Sequence, residues 1–301
     1  MSLLVTGSVG IDTVRTPFGY NEDCIGGSAV HFAMGAGIFT DVKFLGVVGE
    51  DFPFDLKEIF QGRRVDLTGL EIRKGSKTFR WCGSYQGDMN EARTESVELN
   101  VLAEAPPRIP DSYLDCEYVF LANTAPALQM ELLSQLGSPA FVAADTMNHW
   151  IVTANDDLKE LLDRIDMLIL NDGEARLLTG QQNLITAAKR ILEMGPRFVV
   201  IKKGEHGSMM YTREGDCFIL PAYPTPVVID PTGAGDSFAG GMMGYLAQSD
   251  RVDVISLRNA IVYGTVVASF TIGDFSIYGI RSATREMIDD RFDFMRKVTQ
   301  F

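Results

Sequence analysis

Residues 230–241 read DPTGAGDSFAGG. The apolar stretch PVVI (226–229) precedes them, and the helix-compatible run SFAGGMMGYLA (237–247) extends beyond them. The expected context is therefore strand, glycine-rich turn, helix. Small residues let a backbone come close to a ligand. The first N–H groups of a helix have no internal partner and can hold an anion. Gly233, Ala234 and Gly235 would supply those donors. Asp236, at the helix start, is placed to take the proton of an attacking hydroxyl. Phosphoryl transfer asks for little more than an aligned nucleophile, charge-neutralising donors and a metal. Alone, Asp236 reads equally well as an ordinary helix cap; the whole string points to chemistry.

Working outward, the chain shows a βα rhythm. Short apolar runs at Leu3–Gly7, 42–48 (VKFLGVV), 118–122 (YVFLA), 140–144 (AFVAA), 166–170 (DMLIL) and 198–202 (FVVIK) read as buried strands. Helical patterns lie between them: from Gly26-Gly27-Ser28 to Phe39, Asp51–Gly62 with Pro53 in its first turn, Leu158–Ile165 and Leu184–Met194. Buried strands alternating with helices predict an α/β fold with a doubly wound, mostly parallel sheet flanked by helices. Ligands of such sheets sit beyond the carboxyl ends of the strands. Asn123, Asp145, Asn171 and Lys203 stand at or just past those ends.

Between Thr68 and Leu102 the texture changes to mixed polar, aromatic and β-prone residues, with a turn at Gln86-Gly87-Asp88. This predicts antiparallel strands outside the main sheet. Pro106, Pro107 and Pro110 mark its end. The 301 residues with 46% hydrophobic content suit one large domain, 1–301, with this small β element appended.

The net charge of −13 opposes a nucleic-acid partner, which needs lysine and arginine against its phosphates. A local cluster of amides can still bind a small anion. The four cysteines, Cys24, Cys82, Cys116 and Cys217, form no CxxC pair and read as free thiols of a reducing compartment. No signal peptide and no apolar run long enough for a bilayer are apparent, so a cytoplasmic location without membrane contact is expected.

The string DPTGAGDSFAGG closely resembles the C-terminal signature of the ribokinase family, the PfkB carbohydrate kinases. The stretch GGSAVHFAMGAGIF…VKFLGVVGED resembles that family's N-terminal signature, and the likeness runs over essentially the whole chain. It implies an ATP-dependent kinase acting on a hydroxyl of a small sugar or nucleoside, using Mg²⁺. By resemblance, Asp236 is the catalytic base and Gly233 to Gly235 form the anion hole. Asp230 and Thr232 occupy positions where several members hold a monovalent cation such as K⁺.

Asn171-Asp172-Gly173-Glu174 matches the family's NxxE motif, with Glu174 meeting Mg²⁺ through water. Asn171 and Glu174 also have the spacing of a reciprocal helix cap. FVVIKKGEHG resembles the turn that borders the nucleotide. Gly204 and Gly207 would permit a tight turn against ATP, and Lys203 is either a phosphate partner or a solvated lysine. Many members begin this turn with Thr-x-Gly, where this chain has Lys202-Lys203-Gly204. Thr265 stands near the place of the family's adenine-side Asn.

On the acceptor side the resemblance places Asp12 on substrate hydroxyls, a carboxylate being able to accept from both members of a diol. Gly26 and Gly27 match the glycine pair that lets backbone approach a sugar. His31 stands where ribokinase-like members place Asn, and reads equally as a hydrogen-bonded helix histidine. Asp145, in DTMNHW, resembles the family's D-x-N-x-R stretch without its basic residue. Asn123 and Asn148 are pocket-wall candidates. Segments 11–24 and 68–102 would form the lid that excludes water, with Arg80, Trp81 and Asn90 toward the substrate or, for Trp81, packed within the lid. Exposed lid edges imply a homodimer through the lid.

A sugar kinase leads this reading. A nucleoside kinase of adenosine or cytidine type is its rival, and an inactive nucleotide-binding regulator is the third. A dinucleotide oxidoreductase fails because GSVGID after the first strand lacks G-x-G-x-x-G spacing.

Overall fold

The computed structural model describes residues 1–300. Its strands are β1 (Leu3–Thr6), β2 (Gly10–Thr16), β3 (Gly19–Gly26), β4 (Val42–Gly49), β5 (Val65–Arg73), β6 (Phe79–Tyr85), β7 (Ala92–Glu98), β8 (Tyr118–Leu121), β9 (Phe141–Asp145), β10 (Met167–Asn171), β11 (Phe198–Lys202), β12 (Ser208–Thr212) and β13 (Cys217–Leu220). Nine of them form one sheet in the order β13-β12-β11-β10-β9-β8-β1-β4-β5. Seven, from β11 to β5, run parallel, and β12 and β13 close one edge antiparallel.

The six apolar runs expected as buried strands form β1, β4, β8, β9, β10 and β11, because their apolar residues are buried on both faces. In β1, Leu3 and Val5 enter one core while Leu4 enters the other. The first core is covered by helices Ser28–Ala36, Ala234–Ser249, Val254–Thr271 and Arg285–Val298. The second is covered by Pro126–Gln135, Asn155–Leu162, Asp172–Thr179 and Leu184–Leu192.

Four expectations are corrected. The helix expected over 51–62 is a single turn, Leu56–Ile59, capped by Asp55, because Pro53 lies ahead of the helix instead of in its first turn. The stretch PVVI is not a strand: only the Ile229 amide is tied, to the carbonyl of Ile272. The lid does not begin at 68, since β5 pairs in parallel with β4 at the edge of the main sheet. One helix, Val254–Thr271, does meet the length and composition of a bilayer span, but two-thirds of it is buried inside the protein.

The lid is a second sheet, β3-β2-β6-β7, that shares no strand with the first. It rests on a small apolar cluster of Val14, Tyr85 and Met89, with Trp81 and Phe275 against it.

The first core depends on how closely helices Ser28–Ala36 and Ala234–Ser249 approach. A Cβ on Gly240 would stand 2.2 Å from the Phe32 carbonyl oxygen, and one on Gly244 would stand 2.9 Å from the Ala36 Cα. Beyond the contact, Phe32 stacks on Phe120 of β8 with ring centroids 4.4 Å apart. In an open helix Gly→Ala gains roughly 1 kcal/mol from propensity. At Gly240 the sign should reverse, because a methyl group there must push backbone apart, at about 1–3 kcal/mol. Gly240→Ala is expected to lower the thermal midpoint, followed by circular dichroism, by about 5 °C; a rise would show that the helices do not meet backbone to backbone.

Candidate active site

The two helices that meet at Gly240 begin side by side at the carboxyl end of the sheet, and their N-termini form the floor of a cleft. Gly233 precedes the helix Ala234–Ser249 with φ 72°, a conformation natural to glycine. A Cβ there would enter the His31 ring at 2.2 Å from Nδ1. Asp236 is the third residue of the helix and half-buried.

Of the three expected anion-hole amides, that of Ala234 is spent on the Pro231 carbonyl at 3.1 Å. The expectation that it faces an anion is corrected: the tight turn folds it inward. The amides of Gly233, Gly235 and Asp236 have no acceptor among the described residues.

The turn is held from behind by Asp230, which is fully buried. Its Oδ1 accepts from the Thr232 amide at 2.9 Å and its Oδ2 from the Ser276 amide at 3.1 Å. The Thr232 hydroxyl lies 3.4 Å from that of Tyr85. Both residues thus shape the turn, and each Asp230 oxygen, with one hydrogen bond accepted, keeps a lone pair.

The other helix start is Gly27, with φ 102°, where a Cβ would stand 2.4 Å from the Ser8 carbonyl oxygen. The amides of Ser8 and Ser28 each bond the other's hydroxyl, locking this turn to the loop after β1. Gly26 is pressed on Asp12, whose Oδ2 would be 2.0 Å from any Cβ there. Asp12 reaches in from β2 and is 5% exposed, with Oδ1 lacking a partner. Its pKa is pushed up to about 7, first by burial and then by the charges of Asp230 and Asp236, while the Gly27 amide pulls it down. His31 is buried with neither ring nitrogen partnered, and burial lowers its pKa, so the ring is neutral. It supports the floor beneath Gly233 and does not line the cleft in the way a substrate-binding residue would.

On the opposite side, Asp145 ends β9, buried, with Oδ1 unpartnered and its pKa raised by burial and by Asp236. Asn171 and Glu174 form the full reciprocal cap of helix Asp172–Thr179: Asn171 Oδ1 accepts from the Glu174 amide at 2.8 Å and Glu174 Oε2 from the Asn171 amide at 2.7 Å. The cap reading is thus realised, and it also holds the Glu174 carboxylate toward Asp236, whose charge it feels; burial raises its pKa. No cluster of three or more metal-ligating side chains occurs among the described residues. Buried carboxylates at Glu174 and Asp145 fit Mg²⁺ that arrives on nucleotide phosphates and keeps its water.

Asn123 is less available than expected, since its Oδ1 accepts from Trp150 Nε1 at 3.0 Å. Asn148 opens the short helix Asn148–Thr153 beside it. Thr265 does not face a nucleotide: it is buried in its helix and donates to the Ile261 carbonyl at 2.9 Å. Trp81 packs within the lid, over Gly83, with Nε1 on Thr94, and Arg80 pairs with Asp23 at 2.7 Å.

Gly204, at φ 52°, and Gly207, at φ 79°, shape the turn after β11, and Asn90 of the lid touches Gly204. Lys203 begins this turn, its amide bonded to the Gly207 carbonyl at 2.7 Å. The lysine beside the glycine turn of Asp236 is Lys202, the last residue of β11 at the sheet's carboxyl edge, one position before the Lys203 expected to meet the nucleotide. A cavity of about 550 Å³ lies elsewhere, lined mainly by apolar residues such as Phe52, Phe54, Leu67 and Leu70, and carries no comparable cluster.

The profile of the pfkB family carbohydrate kinases matches residues 25–279. The chain belongs to the PfkB family. This PfkB kinase is a phosphotransferase acting on a hydroxyl of a sugar or nucleoside. It is 32% identical over 252 residues to the cytidine kinase of Thermococcus kodakarensis, covering 81% of this chain and 87% of that one. In structure it resembles the nucleoside kinase of Burkholderia thailandensis in complex with inosine, with TM-score 0.78 and 19% identity over 98% of both chains. It also resembles the ribokinase of Cryptococcus neoformans in complex with ADP, with TM-score 0.78 and 21% identity over 96% of this chain and 99% of that one. At those identities the structural likenesses establish the fold.

The raised carboxyls of this PfkB chain have a measurable consequence. In the unfolded chain Asp12 titrates near 3.8, against about 7 when folded. Between these values the folded chain keeps a proton that the unfolded chain has lost, so stability falls as pH rises through the window. Asp145 and Glu174 shift in the same direction. The ligand-free midpoint of unfolding should be higher near pH 5 than near pH 8, and Asp12→Asn should stabilise more at pH 8 than at pH 5. Equal gains at both pH values would show that Asp12 is not held protonated by its surroundings.

Proposed function

We propose that this chain is an ATP-dependent nucleoside kinase that phosphorylates a ribose hydroxyl of a pyrimidine nucleoside. The observation that carries the transfer chemistry is Asp236 at a helix start whose Gly233, Gly235 and Asp236 amides lack acceptors. The Asp236 carboxylate takes the proton of the acceptor hydroxyl as its oxygen attacks. The free amides meet the charge on the phosphoryl group, at roughly 3 kcal/mol of barrier for each well-aimed donor. Asp12, backed by Gly26, accepts from the two hydroxyls of a vicinal diol and holds the ribose over the floor. Mg²⁺, when bound with the nucleotide, neutralises phosphate charge. Glu174 and Asp145 would hold it through water, and the turn at Gly204 and Gly207 borders the nucleotide.

The pyrimidine nucleoside class is supported by the relative named cytidine kinase, which matches most of both chains. A second reading, a small sugar as acceptor, is favoured by Asp12 itself, since a carboxylate on a diol does not require a base.

A coupled assay of ADP release across cytidine, uridine, adenosine, inosine, ribose and fructose separates these readings. Cytidine or uridine is expected to give the highest kcat/KM, and ribose leading would select the second reading. Asp236→Asn should lower kcat by about 10²–10⁴-fold, with ADP affinity by calorimetry changed only a few-fold. Unchanged turnover in that variant would remove Asp236 from the mechanism.

A further inference from the structure

Lys202 ends β11, level with Asn171 on β10 and with Ser208 on β12. The four strand residues before it are buried, and it is half-buried where the strand leaves the sheet. Its ammonium lies against the glycine turn: a Cβ on Gly235 would stand 2.6 Å from Nζ. Gly235 therefore leaves room for a cation as well as offering an amide.

The placement is electrostatically unusual. A helix N-terminus carries partial positive charge and repels an ammonium. Two carboxylates offset that repulsion, since its charge is felt at Asp145 and at Glu174. Yet neither is in contact, as Lys202 makes no salt bridge within 4.0 Å among the described residues. Its three N–H donors also have no acceptor among them. An unpaired ammonium and an unpaired amide thus face the same small volume at the start of one helix. Each calls for an anion, and the volume lies next to the Asp236 carboxylate.

We infer that Lys202 is a catalytic residue that contacts the phosphoryl group during transfer, completing the anion hole together with the Gly233 and Gly235 amides. The inference rests on the kinase reading above. The acceptor oxygen forms its bond to the γ-phosphorus as the bond from that phosphorus to the β–γ bridging oxygen breaks. The acceptor proton passes to Asp236, and the bridging electron pair leaves with ADP. Lys202 keeps its proton throughout and follows the negative charge on the three non-bridging oxygens. With no ion pair of its own among the described residues, it is available when the anion arrives. Lys203, one residue later, begins the next turn and is not the phosphate partner.

The test compares wild type, Lys202→Met and Lys202→Arg by calorimetry with Mg·ADP and a non-hydrolysable Mg·ATP analogue, alongside kcat on the acceptor found in the screen. Lys202→Met should lower kcat by about 100-fold and abolish the preference for the ATP analogue over ADP, leaving ADP affinity within about threefold. Lys202→Arg, which keeps the charge, should recover part of both. Equal weakening of ADP and the analogue would mean a merely structural lysine, and kcat within about threefold of wild type in Lys202→Met would overturn the assignment. Wild-type protein that binds neither nucleotide would sink the kinase reading itself; wild-type binding and turnover with an insensitive Lys202 would sink only this inference.

Discussion

The backbone contact between helices Ser28–Ala36 and Ala234–Ser249 fixes the rest of the molecule. Glycines at 35, 240 and 244 remove the side chains that would hold these helices at an ordinary separation. Their close packing then sets two helix starts next to one another at the carboxyl end of the sheet. Gly27 with Asp12 and Gly233 with Asp236 belong to those two starts. His31 fills the space between them, against Gly233, with no room to spare. The spacing between the two helix starts is therefore a property of core packing, and the turn at Gly233 inherits the rigidity of the best-buried part of the protein.

On this floor the electrostatics are those of crowded negative charge. Asp12, Asp145, Glu174 and Asp236 all face one cleft, and the first three have raised pKa values, with burial as the leading cause. Such a cluster is costly when empty. In the proposed reaction, diol hydroxyls, hydrated metal and nucleotide phosphates would bring partners for these groups. Lys202 is a cation whose charge reaches two of them, Asp145 and Glu174, and it lies against the turn at Gly235. The same arrangement that strains the ligand-free site thus favours occupancy by the full set of reactants.

Much of this was legible in the residues. The parallel strands appear as continuous apolar runs because both faces are covered, and their ends fell within one or two residues of the observed ones. The DPTGAGD turn was legible because its glycines have no other reason to cluster, and the reciprocal cap at Asn171 and Glu174 follows from spacing alone. What could not be read depended on tertiary direction. The Ala234 amide turns inward because of the turn geometry at Gly233. The choice of Lys202 over Lys203 depends on where β11 ends, and adjacent residues of a strand face opposite ways. His31 is a packing residue because another helix start lies over it, a fact about residues 200 positions away. Val65–Arg73 joined the main sheet although its polar alternation suited the lid, since an edge strand needs only one buried face.

The lid sheet has no strand in common with the main sheet; Ile25 of β3 enters the first core, while the rest packs on a handful of apolar side chains around Val14, Tyr85 and Met89. The two sheets therefore rest on apolar clusters of very different size. The side chains of β7, all exposed, can be exchanged with little penalty to folding, whereas exchanges at the helix crossing disturb the packing above it. The outer wall of the molecule can therefore change its surface while the helix crossing beneath stays as it is.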